Sequence, residues 1–377
     1  MVTACGIGEI MASAEVYIHV TDTIVEAALC YDGGLWQLVR QSMPNPGPND
    51  IGAIYKTKVI KRLSPLHAIC DLQGRTGFLE ASAKSAPEGA WILAQIRRQA
   101  FDGKDPTLTT DIYLRNRYLV CQPNADNIIV PPGMEKSFSA SVEALKNMGW
   151  NGEVNPQARY ADASILLETA RLQQKEWLDL QTSYEQQNHA GLLRSGGTDL
   201  NRFFQTLDKI DKVYVDQGIY FKELESEFVL MPDLKNKLSM YKGDNIFLEH
   251  DILDAWHQAC ETNIHLPNGV RLRFDITSTL TAIDVDSSGS LMDAAEINRS
   301  ITAELARLIA LKNIGGLIVI DFLKMKQNSD RLMIQQKLES DMALDPLRPR
   351  VLGFTKAGLC EITRPRRGQM LSIENNG

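Results

Sequence analysis

The sequence predicts a multidomain α/β protein with a small β-barrel inserted early and a β-α-β unit in its last third. Three observations lead there. A chain of 377 residues is too long for one simple core. From Ile51 to about Pro123 it is almost wholly short strands separated by turn residues. Between Ile276 and Phe322 a strand pattern, a helix pattern and a continuous apolar run follow one another.

Composition excludes several classes. No apolar run approaches the ~20 residues needed to cross a bilayer, so no membrane span is expected. The opening MVTACGIGEIMASAEVYIHV lacks a basic start and carries Glu9 and Glu15, so it does not read as a secretory signal, and a cytoplasmic location is expected. Cys5, Cys30, Cys70, Cys121, Cys260 and Cys360 are scattered without a CxxC pair. They fit small core residues better than disulfides or a thiolate zinc site. A net charge of -7 argues against nonspecific coating of nucleic acid but leaves a local basic groove open.

In chain order, Val16 to Leu38 reads as two or three strands turned at Asp32-Gly33-Gly34. QSMPNPGPND, with three prolines and a glycine, reads as a linker. The five or so strands that follow suggest an OB-fold. Within them Tyr55, Lys56, Lys58, Lys61, Arg62, Arg75, Phe78 and Lys104 interleave aromatics with cations. Bases stack on aromatic faces, at ~1–3 kcal/mol each, while cations neutralise phosphates. The plainer alternative makes Tyr55 and Phe78 core residues and the lysines a solvated edge, and composition does not choose between the two. After Pro131-Pro132-Gly133 the pattern turns helical, with a long amphipathic stretch over 161–187. Residues 196–260 mix helix and strand, with amphipathic helices expected around Met231 to Met240 and Asp251 to Cys260. His250 and His257 suit a metal only loosely, and Trp256 beside them favours packing.

The β-α-β unit carries the chemistry. Asp284 and Asp286 lie two apart, on one face of a strand ended by Ser287-Ser288-Gly289. A helix over 293–312 follows, with Asp293 and Glu296 placed like a capping box and Gly315-Gly316 expected to close it. LIVIDF then reads as a strand buried on both faces, parallel to the first. Asp284 and Asp321 would stand at the carboxyl ends of strands ~4.8 Å apart, near enough to share one cation. Two such carboxylates call for a counter-charge, and magnesium, an oxygen-seeking ion that binds through one or two carboxylates plus phosphate, would suit. Strand-end aspartates that merely cap loops are the ordinary alternative.

TLTAIDVDSSG, the helix, and NIGGLIVIDFLKM together closely resemble the catalytic signature of the ribonuclease E/G endoribonucleases. The resemblance implies that Asp284 and Asp321 hold a catalytic magnesium ion. Asp286 falls where the family usually has asparagine, an added carboxylate that would adjust the metal site. AIYKTKVIKRL and RTGFLEAS resemble the family's OB-fold: Phe78 falls on a base-stacking phenylalanine, Lys104 on an RNA contact, and Arg350 on an arginine near the site. Tyr55 and Lys56 belong to the same expected RNA-binding set. The likeness runs from about Ala14 to Arg364.

Three departures stand out. Ile69 occupies a family aromatic position, and the Arg-Thr pair that senses a 5′ monophosphate is absent near Asn155 and Pro156. The family's CPxC-type zinc link would fall beyond Arg364 and is missing, so a zinc-linked tetramer is not expected and monomer or homodimer stays open.

The resemblance further implies a domain map: residues 1–48 and 184–266 as an RNase H-like subdomain, 49–123 as the OB-fold, 124–183 as a degenerate 5′-sensor-like segment, and 267–377 as a DNase I-like catalytic subdomain. The expected activity is magnesium-dependent cleavage of single-stranded, A/U-rich RNA, leaving 5′-phosphate and 3′-hydroxyl ends, in RNA processing or decay. Two rivals remain. One is an RNA-binding protein with weak or lost cleavage, motivated by Asp286, by Lys324 where the family often has an acid, and by the missing sensor pair. The other is a phosphodiesterase acting on another nucleic acid.

Overall fold

The computed structural model describes residues 13–43, 51–80, 86–100, 104–287 and 292–365. The expected linker at Pro44 to Asp50 and the Ser288-Gly289 strand stop lie outside them.

The chain opens with β1 (Ala14–Val20), β2 (Ile24–Tyr31) and β3 (Gly34–Ser42), which pair antiparallel in sequence order. The turn between β2 and β3 puts Asp32 and Gly33 at φ 48° and 78°. Two successive positive φ values match the twist of a tight hairpin, which is why an Asp-Gly pair stands there.

Next come β4 (Ile54–Arg62), β5 (His67–Asp71), β6 (Thr76–Glu80), β7 (Trp91–Arg98) and β8 (Thr107–Thr109). The order β4-β5-β6-β8-β7 closes through a β4–β7 pairing into a five-stranded, OB-like barrel. Ala53, Tyr55, Val59, Ala68, Cys70, Leu79, Ala94, Ile96 and Leu108 fill it.

A smaller sheet follows, from β9 (Leu114–Arg115), β10 (Leu119–Cys121), β11 (Ile128–Ile129) and β12 (Gly152–Val154). It packs with α1 (Ser139–Asn147) and the long α2 (Ala163–Gln186) around Trp150, whose indole donates to Gln173 Oε1 at 3.0 Å. β13 (Gly191–Arg194) then returns to flank β4.

Helix α3 (Asp199–Thr206) begins at a Thr198–Asn201 capping box, and β14 (Lys212–Val215) pairs parallel to β1. After α4 (Gly218–Glu227), the expected helix at Met231 to Met240 is instead one turn, α5 (Pro232–Lys235), and then β15 (Leu238–Met240). Parallel pairing with β14 takes those last residues into the sheet. Two short helices follow, α6 (Ile246–Glu249) and α7 (Ile252–Cys260).

The last part is a six-stranded sheet, built from β16 (Asn263–His265), β17 (Arg271–Ile276), β18 (Leu280–Asp286), β19 (Gly316–Asp321), β20 (Arg350–Phe354) and β21 (Cys360–Arg364). Its order is β16-β17-β18-β19-β21-β20. Between β18 and β19 runs α8 (Ala294–Leu311), and α9 (Asn328–Asp341) follows β19. The β18–β19 pair is parallel, as the crossover requires.

Two sequence readings of this unit need correction. Asp293 caps α8 through Ala295 N, but the helix closes at Asn313 (φ 51°), not at Gly315-Gly316. Bonds from Asn313 N to Ala310 O (3.0 Å) and from Ile314 N to Ile309 O (3.1 Å) form the Schellman pattern. Strand β19 is not buried on both faces: Ile318 and Ile320 are buried, Leu317 and Val319 half-buried, and Asp321 exposed.

The reason is the layering. One continuous core joins Tyr17, Ala28, Leu35 and Leu38 of the first sheet, Ile301, Leu305 and Leu308 of α8, and Ile283, Val285, Ile318 and Ile320 of the last sheet. Helix α8 therefore covers only the inner face of the six-stranded sheet. The first sheet's other face packs on Phe203, Phe204, Leu224 and Phe228. Among the described residues no helix is long and apolar enough to cross a membrane.

Candidate functional site

Alternation along β18 sends Thr281, Ile283 and Val285 inward and Ala282, Asp284 and Asp286 outward. Register then fixes rows across the outer face. Arg273, Asp284 and Asp321 form one row over β17, β18 and β19, with Asp284 and Asp321 direct partners on adjacent parallel strands. Arg271 and Asp286 form the next, joined at 2.7 Å with both side chains 43% exposed. Arg273 turns to Asp275 at 3.2 Å.

Two exposed carboxylates therefore stand side by side at the carboxyl ends of two parallel strands, separated by about 4.8 Å of strand spacing. Hard oxygen donors on an open face fit a divalent ion that keeps part of its hydration and also takes phosphate oxygen. Among the described residues no three His, Cys, Asp or Glu side chains gather as a metal cage. Asp286 points to the same face, with its carboxylate on Arg271. Lys324 is exposed just past β19.

Arg350 opens β20 and pairs in register with Thr363, itself the partner of Leu317. It shares the open face with the aspartates but lies four residues back along the strand direction from Asp321, about 13 Å.

The barrel offers a second surface. Phe78 is half-buried on the outer face of β6, its ring near-parallel to that of His67, with centroids 5.5 Å apart and an interplanar angle of 19°. Lys104 is exposed and adjoins Asp105, whose carboxylate accepts from Thr76 Oγ1 at 2.7 Å, which holds it beside β6. Tyr55 and Lys56 are corrections. Tyr55 is 1% exposed in the barrel core, because its position on β4 alternates inward. Lys56 is 8% exposed, donates to Tyr184 O at 2.6 Å and sits 4.4 Å from the Tyr184 ring. It ties the end of α2 to the barrel, so neither residue faces a ligand on the surface.

Sequence reasoning passed over His67, Trp91, Arg271 and Arg273. Trp91 is exposed under Lys58, 5.7 Å from ring centre to Nζ. Only strand register, which a single sequence does not display, brings these side chains beside the expected ones. Asn155, at the expected sensor position, donates to the carbonyls of Asn116 and Arg117 (3.1 and 3.2 Å) and so serves the chain's own turn. His250 lies against Tyr17 and Tyr241, and His257 against Trp256.

Known proteins resemble the chain along most of its length. The pattern of the Ribonuclease E/G family matches residues 114–367. Ribonuclease G of Haemophilus influenzae is 25% identical, covering 96% of this chain and 81% of that protein. Ribonuclease G of Escherichia coli K12 is 26% identical over 94% of the chain and 80% of its own length. Ribonuclease E of a Nostoc species is 25% identical over 74% of the chain, which spans 43% of that relative.

Proposed function

The chain belongs to the Ribonuclease E/G family, and from that premise we propose that it is an endoribonuclease of RNA processing that cuts single-stranded, A/U-rich RNA with magnesium. The observation that carries this reading is the register pairing of Asp284 with Asp321 on the sheet face that α8 does not cover. The family's relatives named ribonuclease G and ribonuclease E support the reaction class.

Asp284 and Asp321 would hold the ion, each relieving the other's charge through it. Magnesium, when bound, supplies a Lewis acid for the scissile phosphate and an activated water, for products with 5′-phosphate and 3′-hydroxyl ends. The Asp286 carboxylate, balanced by Arg271, sets the charge beside that pair. Phe78 stacks a base, while Lys104 and Arg350 take phosphates at a distance from the reacting centre. In this reading 1–48 with 184–266 is the RNase H-like subdomain, 49–123 the OB-fold, 124–183 a sensor-like segment without 5′-end discrimination, and 267–377 the DNase I-like catalytic subdomain, in a monomer or homodimer.

A second reading, an RNA-binding protein with weak cleavage, is favoured by one observation: the guanidinium of Arg271 stands in the row next to the aspartates, where positive charge opposes cation binding. Cleavage of 5′-monophosphorylated and 5′-triphosphorylated RNA, with magnesium and with chelator, separates the two. Equal, magnesium-dependent cutting of both RNAs is expected; binding without cutting would establish the second reading.

A further inference from the structure

The barrel's outer face presents a ring pair that its core does not use. On β5 and β6, Ala68, Cys70 and Leu79 point inward and are buried, so His67, Ile69, Phe78 and Glu80 point outward. Ile69 faces Phe78 in register and His67 faces Glu80, which makes His67 and Phe78 diagonal neighbours with near-parallel rings.

His67 is held in place. Its Nδ1 lies 2.8 Å from Ser64 Oγ, its backbone N donates to the same oxygen at 3.1 Å, and its carbonyl accepts from Leu63 N and Ser64 N at 2.9 and 3.1 Å. The imidazole is therefore oriented before any ligand arrives, which lowers the ordering cost of binding.

Charge around the rings favours a polyanion. Lys61 is the register partner of Ile69 and lies on that outer face, as does Lys58, the partner of Asp71. Lys104 lies exposed beside the other end of β6. Against these stand Asp71 and Glu80, the latter 3.9 Å from Arg97. Flat rings interleaved with cations are the chemistry that holds single strands, since bases stack and phosphates are neutralised.

Resting on the ribonuclease reading, we propose that His67 is an RNA-binding residue: with Phe78 it forms a two-ring platform on which a base of single-stranded RNA stacks, between phosphates held by Lys58, Lys61 and Lys104. His67 contributes a stacking face, and its charge is secondary.

The test is binding of the full chain to single-stranded A/U-rich RNA carrying one 2-aminopurine, moved position by position, for the wild-type protein, His67→Ala, His67→Phe, His67→Lys and Lys58→Ala. His67→Ala should raise Kd about tenfold and remove the fluorescence quench at one nucleotide, with the salt dependence of Kd unchanged. His67→Phe should keep both affinity and quench, which separates lost stacking from lost folding. Lys58→Ala should instead flatten the salt dependence by about one phosphate contact, a slope change of ~0.7. Wild-type affinity and quench in His67→Ala would overturn the proposal while leaving the ribonuclease reading intact. Retention by His67→Lys with loss in His67→Phe would also overturn it, by making charge the cause. A wild-type protein that binds no RNA would overturn both.

Discussion

Asp284 and Asp321 are register partners on the adjacent parallel strands β18 and β19, and both side chains reach the face that α8 leaves uncovered. A packed helix on that side would have had to bury two like charges. The same layering that gives α8 its core on the inner face leaves the outer face to polar groups, so the site follows from the fold's asymmetry.

The neighbouring row offers a first test. Arg271 and Asp286 are both 43% exposed, so their ion pair should contribute under about 1 kcal/mol to stability. Asp286→Asn should leave the melting temperature within a few degrees, roughly what so small a change produces. It should also raise the magnesium needed for half-maximal cleavage several-fold, since the freed Arg271 then repels a cation. Loss of cleavage even at saturating magnesium would make Asp286 a ligand in its own right.

Arg117 links the small sheet to the first one. Its guanidinium, 0% exposed, donates to Asp233 at 2.6 and 3.0 Å and to the carbonyls of Phe204 and Leu207, both at 2.7 Å. Arg117→Met leaves the Asp233 carboxylate and the carbonyls of Phe204, Leu207 and Asp208 without that donor. A loss of about 3–5 kcal/mol in urea unfolding is expected; a loss under 1 kcal/mol would show the network to be replaceable by packing.

His19 gives a pH signature. Its Nδ1 lies 2.5 Å from Asp216, whose hydrogen bond raises the imidazole pKa against the opposing effect of burial; Glu26, opposite it on β2, raises it further. Asn245 and Phe247 complete its surroundings. A raised folded pKa means that this stabilisation is complete below the unfolded value of ~6.5 and is lost as pH climbs through the folded one. The urea midpoint should fall with rising pH just above ~6.5, and His19→Gln should flatten that decline. An unchanged slope in the variant would place the pH dependence elsewhere.

Much of this was legible in the sequence. The 3.6-residue period of 293–312, the apolar LIVIDF run and the Asp-Gly hairpin encode local conformation, and local conformation is what one strand of text displays. What escaped it depends on partners distant in sequence. Tyr55 and Lys56 looked like surface chemistry because a barrel strand alternates in and out, and the text does not say which phase is inside. LIVIDF looked buried on both sides because half-buried Leu317 and Val319 are as apolar as core residues. Asn313 rather than Gly315 ends α8: asparagine is among the few residues besides glycine that enter the left-handed conformation, and the bond from Ile314 N to Ile309 O closes the helix at that earlier position. His67 gained meaning only once strand pairing set it against Phe78.

The most direct measurement is single-turnover cleavage of an A/U-rich single strand at saturating magnesium by the wild-type protein, Asp284→Asn, Asp321→Asn and the double variant, with RNA affinity measured alongside. If the two carboxylates serve one centre, each single change should slow cleavage about 100-fold or more, and the double variant should be no slower than the worse single one. RNA affinity should stay within a few-fold throughout. A single variant that keeps near wild-type cleavage, or losses that multiply in the double variant, would contradict a shared site.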